Sequence, residues 1–170
     1  MTHRAYVGMG SNLGDRDGRL RAAIAAMNRL PGTTVVAASS VYVSAPVGTG
    51  EPQPDYYNAV AGLDTPLAPR ALLEALQGIE HDAGRTRTAG IRNAARTLDL
   101  DILLIDDLVI DEDGLRVPHP RLQDRAFVLL PLAEIAPDCI VPGQGPVRAL
   151  LPRVAGQRIA RLSPAGAAAR

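Results

Sequence analysis

Lysine and tryptophan are absent from this sequence, cysteine occurs once, and aromatic residues make up only 3% of its 170 positions. Without lysine there is no Schiff-base chemistry and no phosphate-binding loop of the kind that closes on an ammonium group. All 18 basic residues are arginine, so phosphate has to be met by guanidinium groups. Cys139 alone can form neither an intrachain disulfide nor a multi-thiolate metal site. No apolar segment near the amino terminus resembles a signal peptide. The most apolar late stretch, Phe127 to Ala136, is interrupted by Pro131 and Glu134 and falls short of the roughly 20 residues that span a membrane. A soluble, cytoplasmic protein without a membrane partner is expected. Excess charge is missing too, because 18 acidic residues balance the arginines. No net field favours nucleic acid, and an anionic ligand must be gripped locally.

A hydrophobic content of 46% in 170 residues suits one domain. We place it at residues 1–162, followed by a frayed alanine-rich tail at 163–170. Ala5 to Met9 reads as a strand, Gly10 to Asp15 as a turn, and Leu20, Ala23, Ile24, Met27 and Leu30 recur at helical spacing. Thr33 to Ser44 suggests one long second strand, and the Gly- and Pro-containing segment from Val47 to Tyr56 a site loop before a strand at Asn58 to Leu63. Pro69 is suited to a helix start, and the stripe Leu72, Leu73, Leu76, Ile79 and Ala83 ends at Gly84. Leu98 to Ile105 reads as the central strand and Leu115 to Val117 as a short one, while Val147 to Val154 suggests a short helix. Two strands joined only by a loop pair most naturally as antiparallel neighbours. The expected fold is therefore an α+β sandwich on a β-α-β-β-α-β kernel.

Four features carry chemistry. Asp99 and Asp101 stand two apart in an apolar strand, so their carboxylates share a face about 6.5 to 7 Å apart along the backbone. Two anions there cost several kcal/mol unless a cation joins them, and magnesium accepts one or two carboxylates plus water and phosphate oxygens. Immediately upstream, Arg85, Arg87, Arg92 and Arg96 fall in a polar, glycine-containing loop, which beside such a pair makes a phosphate clamp. Val117-Pro118-His119-Pro120-Arg121, with Arg125 and Phe127, adds a histidine and further arginines. Tyr56, Tyr57 and Asn58 follow the loop from Ser44, where tyrosine could stack on a flat heterocycle while Asn58 offers a donor and an acceptor to its edge. Each feature taken singly also has an ordinary structural reading: a solvated strand edge, a solvated loop, a packing histidine, tyrosines that close a core. Gly8 to Gly14 resembles a dinucleotide fingerprint, but its last glycine is one residue late. No acid lies between Asp17 and Glu51 to bind a ribose.

Taken together in this order, Tyr6 to Arg16, Gln53 to Ala59, Arg96 to Ile102 and Val117 to Arg121 resemble the 6-hydroxymethyl-7,8-dihydropterin pyrophosphokinase family of folate synthesis. The resemblance implies a three-layer α-β-α sandwich with a ferredoxin-like kernel and a mainly antiparallel sheet. It also implies transfer of diphosphate from ATP to the pterin hydroxymethyl group, with two magnesium ions on Asp99 and Asp101. Arg85 and Arg96 then match catalytic loop positions, and Gln77, Glu80, Arg87, Ile102, His119 and Arg125 match positions around ATP. Ser44, Val47, Tyr56, Asn58 and Phe127 match the pterin pocket, with Tyr56 and Phe127 on either side of the ring. A monomer is expected. The sequence departs from the family where Arg92-Asn93-Ala94-Ala95 replaces a tryptophan-proline segment, where Thr88 stands for a lysine, and where Pro120 stands for an aromatic residue. One additional loop residue keeps Arg92 open as an alternative to Arg96. Two rivals are a metal-dependent nucleotidyltransferase, which would attach AMP and release diphosphate, and a non-enzymatic ferredoxin-like binding module. RNA binding by such a module is disfavoured by strands without stacking aromatics.

Overall fold

Every residue from Ala5 to Met9 is apolar or small, which suits a strand buried on both faces, and the computed structural model extends it to His3–Ser11 (β1). The structure describes residues 2–12, 14–45, 55–84 and 98–162. After β1 come α1 (Arg16–Asn28), β2 (Thr34–Ala38), β3 (Tyr42–Ser44), β4 (Tyr56–Thr65), α2 (Pro69–Ala83) and β5 (Asp99–Ile105). A hairpin of β6 (Ile110–Glu112) and β7 (Leu115–Val117) leads through a 3-10 turn at Leu122–Asp124 to α3 (Ala126–Ile135). The chain ends in β8 (Ile140–Val141), β9 (Gly145–Pro146), α4 (Val147–Leu150), a 3-10 turn at Leu151–Val154 and β10 (Ile159–Arg161).

The two long predicted helices form where their signals lie. Asp15 caps α1 by accepting the Gly18 N–H at 3.0 Å. Pro69 opens α2 and Gly84 stops it. The main sheet runs β10-β3-β4-β1-β5, with β2 beside β3 on the same edge of β4, and its pairs are antiparallel. Ala5, Val7, Met9, Ala59, Ala61 and Leu63 face α1 and α2, where Leu20, Met27, Leu72 and Leu76 are buried. Tyr6, Val60, Leu103 and Leu104 face Leu129 and Leu132 of α3 and Val147 and Val154 of the C-terminal segment. Each such leucine contributes about 1.5 to 3 kcal/mol by leaving water. The α+β, three-layer expectation is met.

Four expectations change. β5 is the outer strand of the sheet, not the central one. Beyond Asp99 and Asp101 it can be wholly apolar there because its outward edge is covered: Glu80 of α2 accepts the Leu100 N–H at 2.7 Å, and the Leu103 carbonyl accepts the His119 N–H at 3.0 Å. A bulge adds to this cover. Val7 pairs with Ile102 but Tyr6 with Leu104, which leaves one extra residue and sends both Leu103 and Leu104 to the α3 side. The single strand expected over Thr33 to Ser44 is broken at residues 39–41, where the Ser39 hydroxyl takes the Val60 N–H at 2.9 Å in place of a backbone partner. The predicted turn at Gly10 begins two residues later, since Gly10 and Ser11 still pair with Asn58 and Tyr57. Finally, the short helix expected over Val147 to Val154 is α-helical only at Val147–Leu150 before a 3-10 turn that holds Pro152, while Ala126–Ile135 forms the helix α3 with Pro131 inside it.

Candidate active site

The acid pair, the glycines of β1 and the amide of β4 meet because antiparallel register places them in cross-strand rows. Gly10 pairs with Asp99 on one side and Asn58 on the other, and Gly8 pairs with Asp101 and Val60. These residues lie on the α3 face of the sheet. A Cβ at Gly10 would stand 3.4 Å from Asn58 Oδ1, and one at Gly8 would stand 3.3 Å from a Leu103 methyl. Glycine therefore leaves bare backbone as the floor between carboxylates and amide.

Above that floor opens a cleft of about 610 Å³. Ser44, Tyr56, Asn58, Asp99, Asp101, His119, Arg125 and Phe127 all line it, together with Gly8, Gly10, Leu103, Asp124 and Gln157. Asn58 is 4% exposed, and its Nδ2 donates to Ser44 Oγ at 2.8 Å. That bond fixes which way the amide points and leaves Oδ1 toward the Gly10 side. Phe127 stands at the start of α3, with the Arg125 guanidinium 5.5 Å from its ring centre.

A second cleft, of about 350 Å³, lies at the outer edge of β5 between α2 and the β6–β7 hairpin. Its lining includes Leu73, Leu100, Ile102, Glu112, Arg116 and Pro120, and it shares Asp101 and His119 with the first. His119 stands where the two spaces meet. Burial pushes its imidazole below the ordinary range; Asp101 opposes that shift, and Arg125 and Arg121 reinforce it. Its Nδ1 accepts the Arg121 N–H at 3.1 Å, so the neutral ring carries its proton on Nε2.

The structure thus brings Ser44, Tyr56, Asn58, Asp99, Asp101, His119, Arg125 and Phe127 to one cleft and Ile102 to the other. Gln77 is exposed on α2 and Glu80 is engaged with the β5 backbone, and neither lines either cleft. Val47, Arg85, Arg87, Arg92 and Arg96 lie outside the described residues. Gly8, Gly10, Leu73, Arg116 and Gln157 escaped the sequence reading as lining residues. The glycines alone left a signal, as small residues alternating on a strand. Among the described residues no group of three or more His, Cys, Asp or Glu side chains could enclose a metal. The pair Asp99 and Asp101 offers hard carboxylate oxygens beside open space, which suits a divalent cation completed by phosphate and water rather than an all-protein cage.

A family model described as 7,8-dihydro-6-hydroxymethylpterin-pyrophosphokinase (HPPK) matches residues 6–137. The chain belongs to this family. This pyrophosphokinase is 50% identical to the 2-amino-4-hydroxy-6-hydroxymethyldihydropteridine pyrophosphokinase of Pseudomonas aeruginosa, over 84% of this chain and 86% of that one. It is 42% identical to the protein of the same name from Haemophilus influenzae, over 94% and 98% of the two chains. A crystal structure of a Plasmodium falciparum HPPK-DHPS triple mutant superposes with a TM-score of 0.67 at 14% identity. It covers 90% of this chain, which spans 44% of that longer one, and the likeness bears on the fold alone. The resemblance seen in the sequence is borne out, and with it the enzyme class, a pyrophosphokinase of folate biosynthesis. Among the described residues no helix is long and apolar enough to cross a membrane.

Proposed function

We propose that this pyrophosphokinase holds 6-hydroxymethyl-7,8-dihydropterin in the larger cleft and ATP in the smaller, and joins them where Asp101 and His119 border both. That shared border is the observation that carries the reading. The flat ring enters between Tyr56 and Phe127, whose faces supply stacking, and Asn58 Oδ1 accepts from its edge. Ser44 and Val47 complete the pocket. Leu73 and Ile102 give the adenosine an apolar wall, and the arginines at 85, 87 and 96 are assigned to the triphosphate.

In the reaction the pterin hydroxyl oxygen bonds to the β-phosphorus of ATP, the bond from that phosphorus to the oxygen bridging it to the α-phosphate breaks, and AMP leaves with that oxygen. The hydroxyl proton passes to solvent or to a phosphate oxygen. Asp99 and Asp101 would hold magnesium, two ions with ATP, which when bound lowers the hydroxyl pKa and offsets phosphate charge. Arg125 and the neutral His119, donating from Nε2, steady the phosphate oxygens. Gly8 and Gly10 let the reacting groups approach the backbone closely. The protein's main contribution is alignment, because the two substrates would otherwise have to meet in solution. It works as a cytoplasmic monomer of one domain, residues 1–162.

Incubation with ATP, magnesium and the hydroxymethyl pterin tests this reading. The expected products are AMP and the pterin diphosphate. Release of free diphosphate with AMP attached to the pterin would identify a nucleotidyltransferase instead.

A further inference from the structure

The first turn of α3, which carries Phe127, is weak by its own sequence. Arg125 at the N-cap gives no side-chain hydrogen bond to it. Pro131 has no N–H to return to the Phe127 carbonyl four residues back. Yet Phe127 forms one wall of the larger cleft and has to stay in place there.

Gln157, 30 residues further along the chain, supplies what this turn lacks. Its Oε1 accepts the Ala126 N–H at 2.8 Å, and its Nε2 donates to the Asp124 carbonyl at 2.7 Å. One amide therefore brackets the backbone on both sides of Arg125, immediately before Phe127. Gln157 is itself held: its N–H donates to the Val154 carbonyl at 3.0 Å, and Val154 is buried beneath α3. Two residues beyond, Ile159 begins the strand that pairs with Ser44 on the opposite wall.

We propose that Gln157 is a positioning residue for pterin binding, a remote cap that orients Phe127 without spending either amide atom on substrate. The proposal rests on the assignment of Phe127 to the pterin ring. It predicts a loss specific to one substrate: loosening the first turn of α3 disturbs the ring wall and leaves the cleft at the edge of β5 as it was.

Phe127 is the one phenylalanine in the chain, so 4-fluorophenylalanine labels this wall alone. In wild type we expect one narrow ¹⁹F resonance that moves when the hydroxymethyl pterin is added. In Gln157→Ala the resonance should broaden or shift and respond less to the pterin, and KM for the pterin should rise about tenfold with KM for ATP within about twofold of wild type. Gln157→Glu keeps the acceptor for Ala126, loses the donor to Asp124 and should fall between the two; it carries the same comparison if the alanine variant does not fold. An unchanged ¹⁹F signal with unchanged pterin KM, or an equal rise in both KM values, overturns the proposal. A wild-type enzyme that forms no AMP would instead sink the functional reading, and the ¹⁹F comparison would still decide whether Gln157 orders Phe127.

Discussion

The wall of the larger cleft is tied by side-chain hydrogen bonds that span 14 residues from Asn58 to Ser44, 31 from Gln157 to Ala126 and 33 from Gln157 to Asp124. The smaller cleft is lined by runs of neighbours, Leu100 to Ile102 on the edge of β5 and Glu112 to Arg116 on the hairpin. Its hairpin leans on α2 through Arg70, which donates to Glu112 and to the Asp113 carbonyl, both at 3.0 Å, in exposed surroundings. The first arrangement is prearranged and suits a rigid ring read at its edge. The second presents backbone and exposed charge, which suits a nucleotide whose flexible tail is placed mainly by metal and arginine. Truncation should therefore be costly and substrate-specific in the first and mild in the second.

The acid pair, Asp101 on the border shared by the two clefts and Asp99 beside it, should show the largest effect. Asp101→Ala or Asp99→Ala lowers AMP formation by about a thousandfold or more while the thermal midpoint stays near wild type; a near-normal rate in either would remove the metal assignment. Next comes Asn58→Ala, which deletes the fixed acceptor and leaves Ser44 without its donor. Pterin KM should rise by about 30-fold or more, corresponding to ~2 kcal/mol, with little change for ATP. A parallel rise for ATP would erase the contrast between the clefts.

A third test moves behind the pterin wall. The Glu134 carboxylate of α3 accepts from the Ser40 N–H and hydroxyl and from the Tyr42 hydroxyl at 2.8 Å, and pairs with Arg161 at 2.9 Å. Burial raises its carboxyl, but the bonds from Ser40 and Tyr42 and the charge of Arg161 outweigh that and hold it below the usual range. Burial and that same carboxylate push the Tyr42 phenol up to about 12. Because the folded-state value is depressed, the stabilisation is present at neutral pH and is lost as pH falls through it. Glu134→Gln should therefore be less stable than wild type at pH 7, by about 1 to 2 kcal/mol, and the gap should narrow in acid, as denaturant melts at both pH values would show. A gap that widened in acid would contradict the assignment. The smallest effect is expected in the smaller cleft, where Leu73→Ala should raise KM for ATP about threefold to fivefold and leave the pterin KM alone.

Much of this could be read along the chain. α1 and α2 announce themselves by apolar spacing from Leu20 to Met27 and from Leu72 to Ala83, and by Asp15, Pro69 and Gly84 at their ends. The acid pair was visible because a spacing of two on a strand has only one geometric meaning. β10 was not visible, since Ile159–Arg161 is too short to carry a period and is a strand only by virtue of its pairing with Tyr42–Ser44. α3 was obscured by Pro131 in an all-apolar run, and the break between β2 and β3 by the Ser39 hydroxyl, whose partner Val60 lies 21 residues away. Gln157 left no sign at all, because a glutamine in an irregular segment looks the same whether it faces water or caps a helix.

Local sequence was enough to read the two long helices, most strands of the kernel, their antiparallel pairing and the chemical types of the site: paired carboxylates, arginines, a histidine and a few aromatic rings. These follow from local periodicity and from side-chain chemistry, which need only near neighbours. Tertiary structure decided that β5 closes the sheet at its edge, that glycines form the floor between acids and amide, and that one residue from the C-terminal segment steadies the aromatic wall. Register and long-range hydrogen bonds set those outcomes, and such contacts exist only once distant parts of the chain have been packed together.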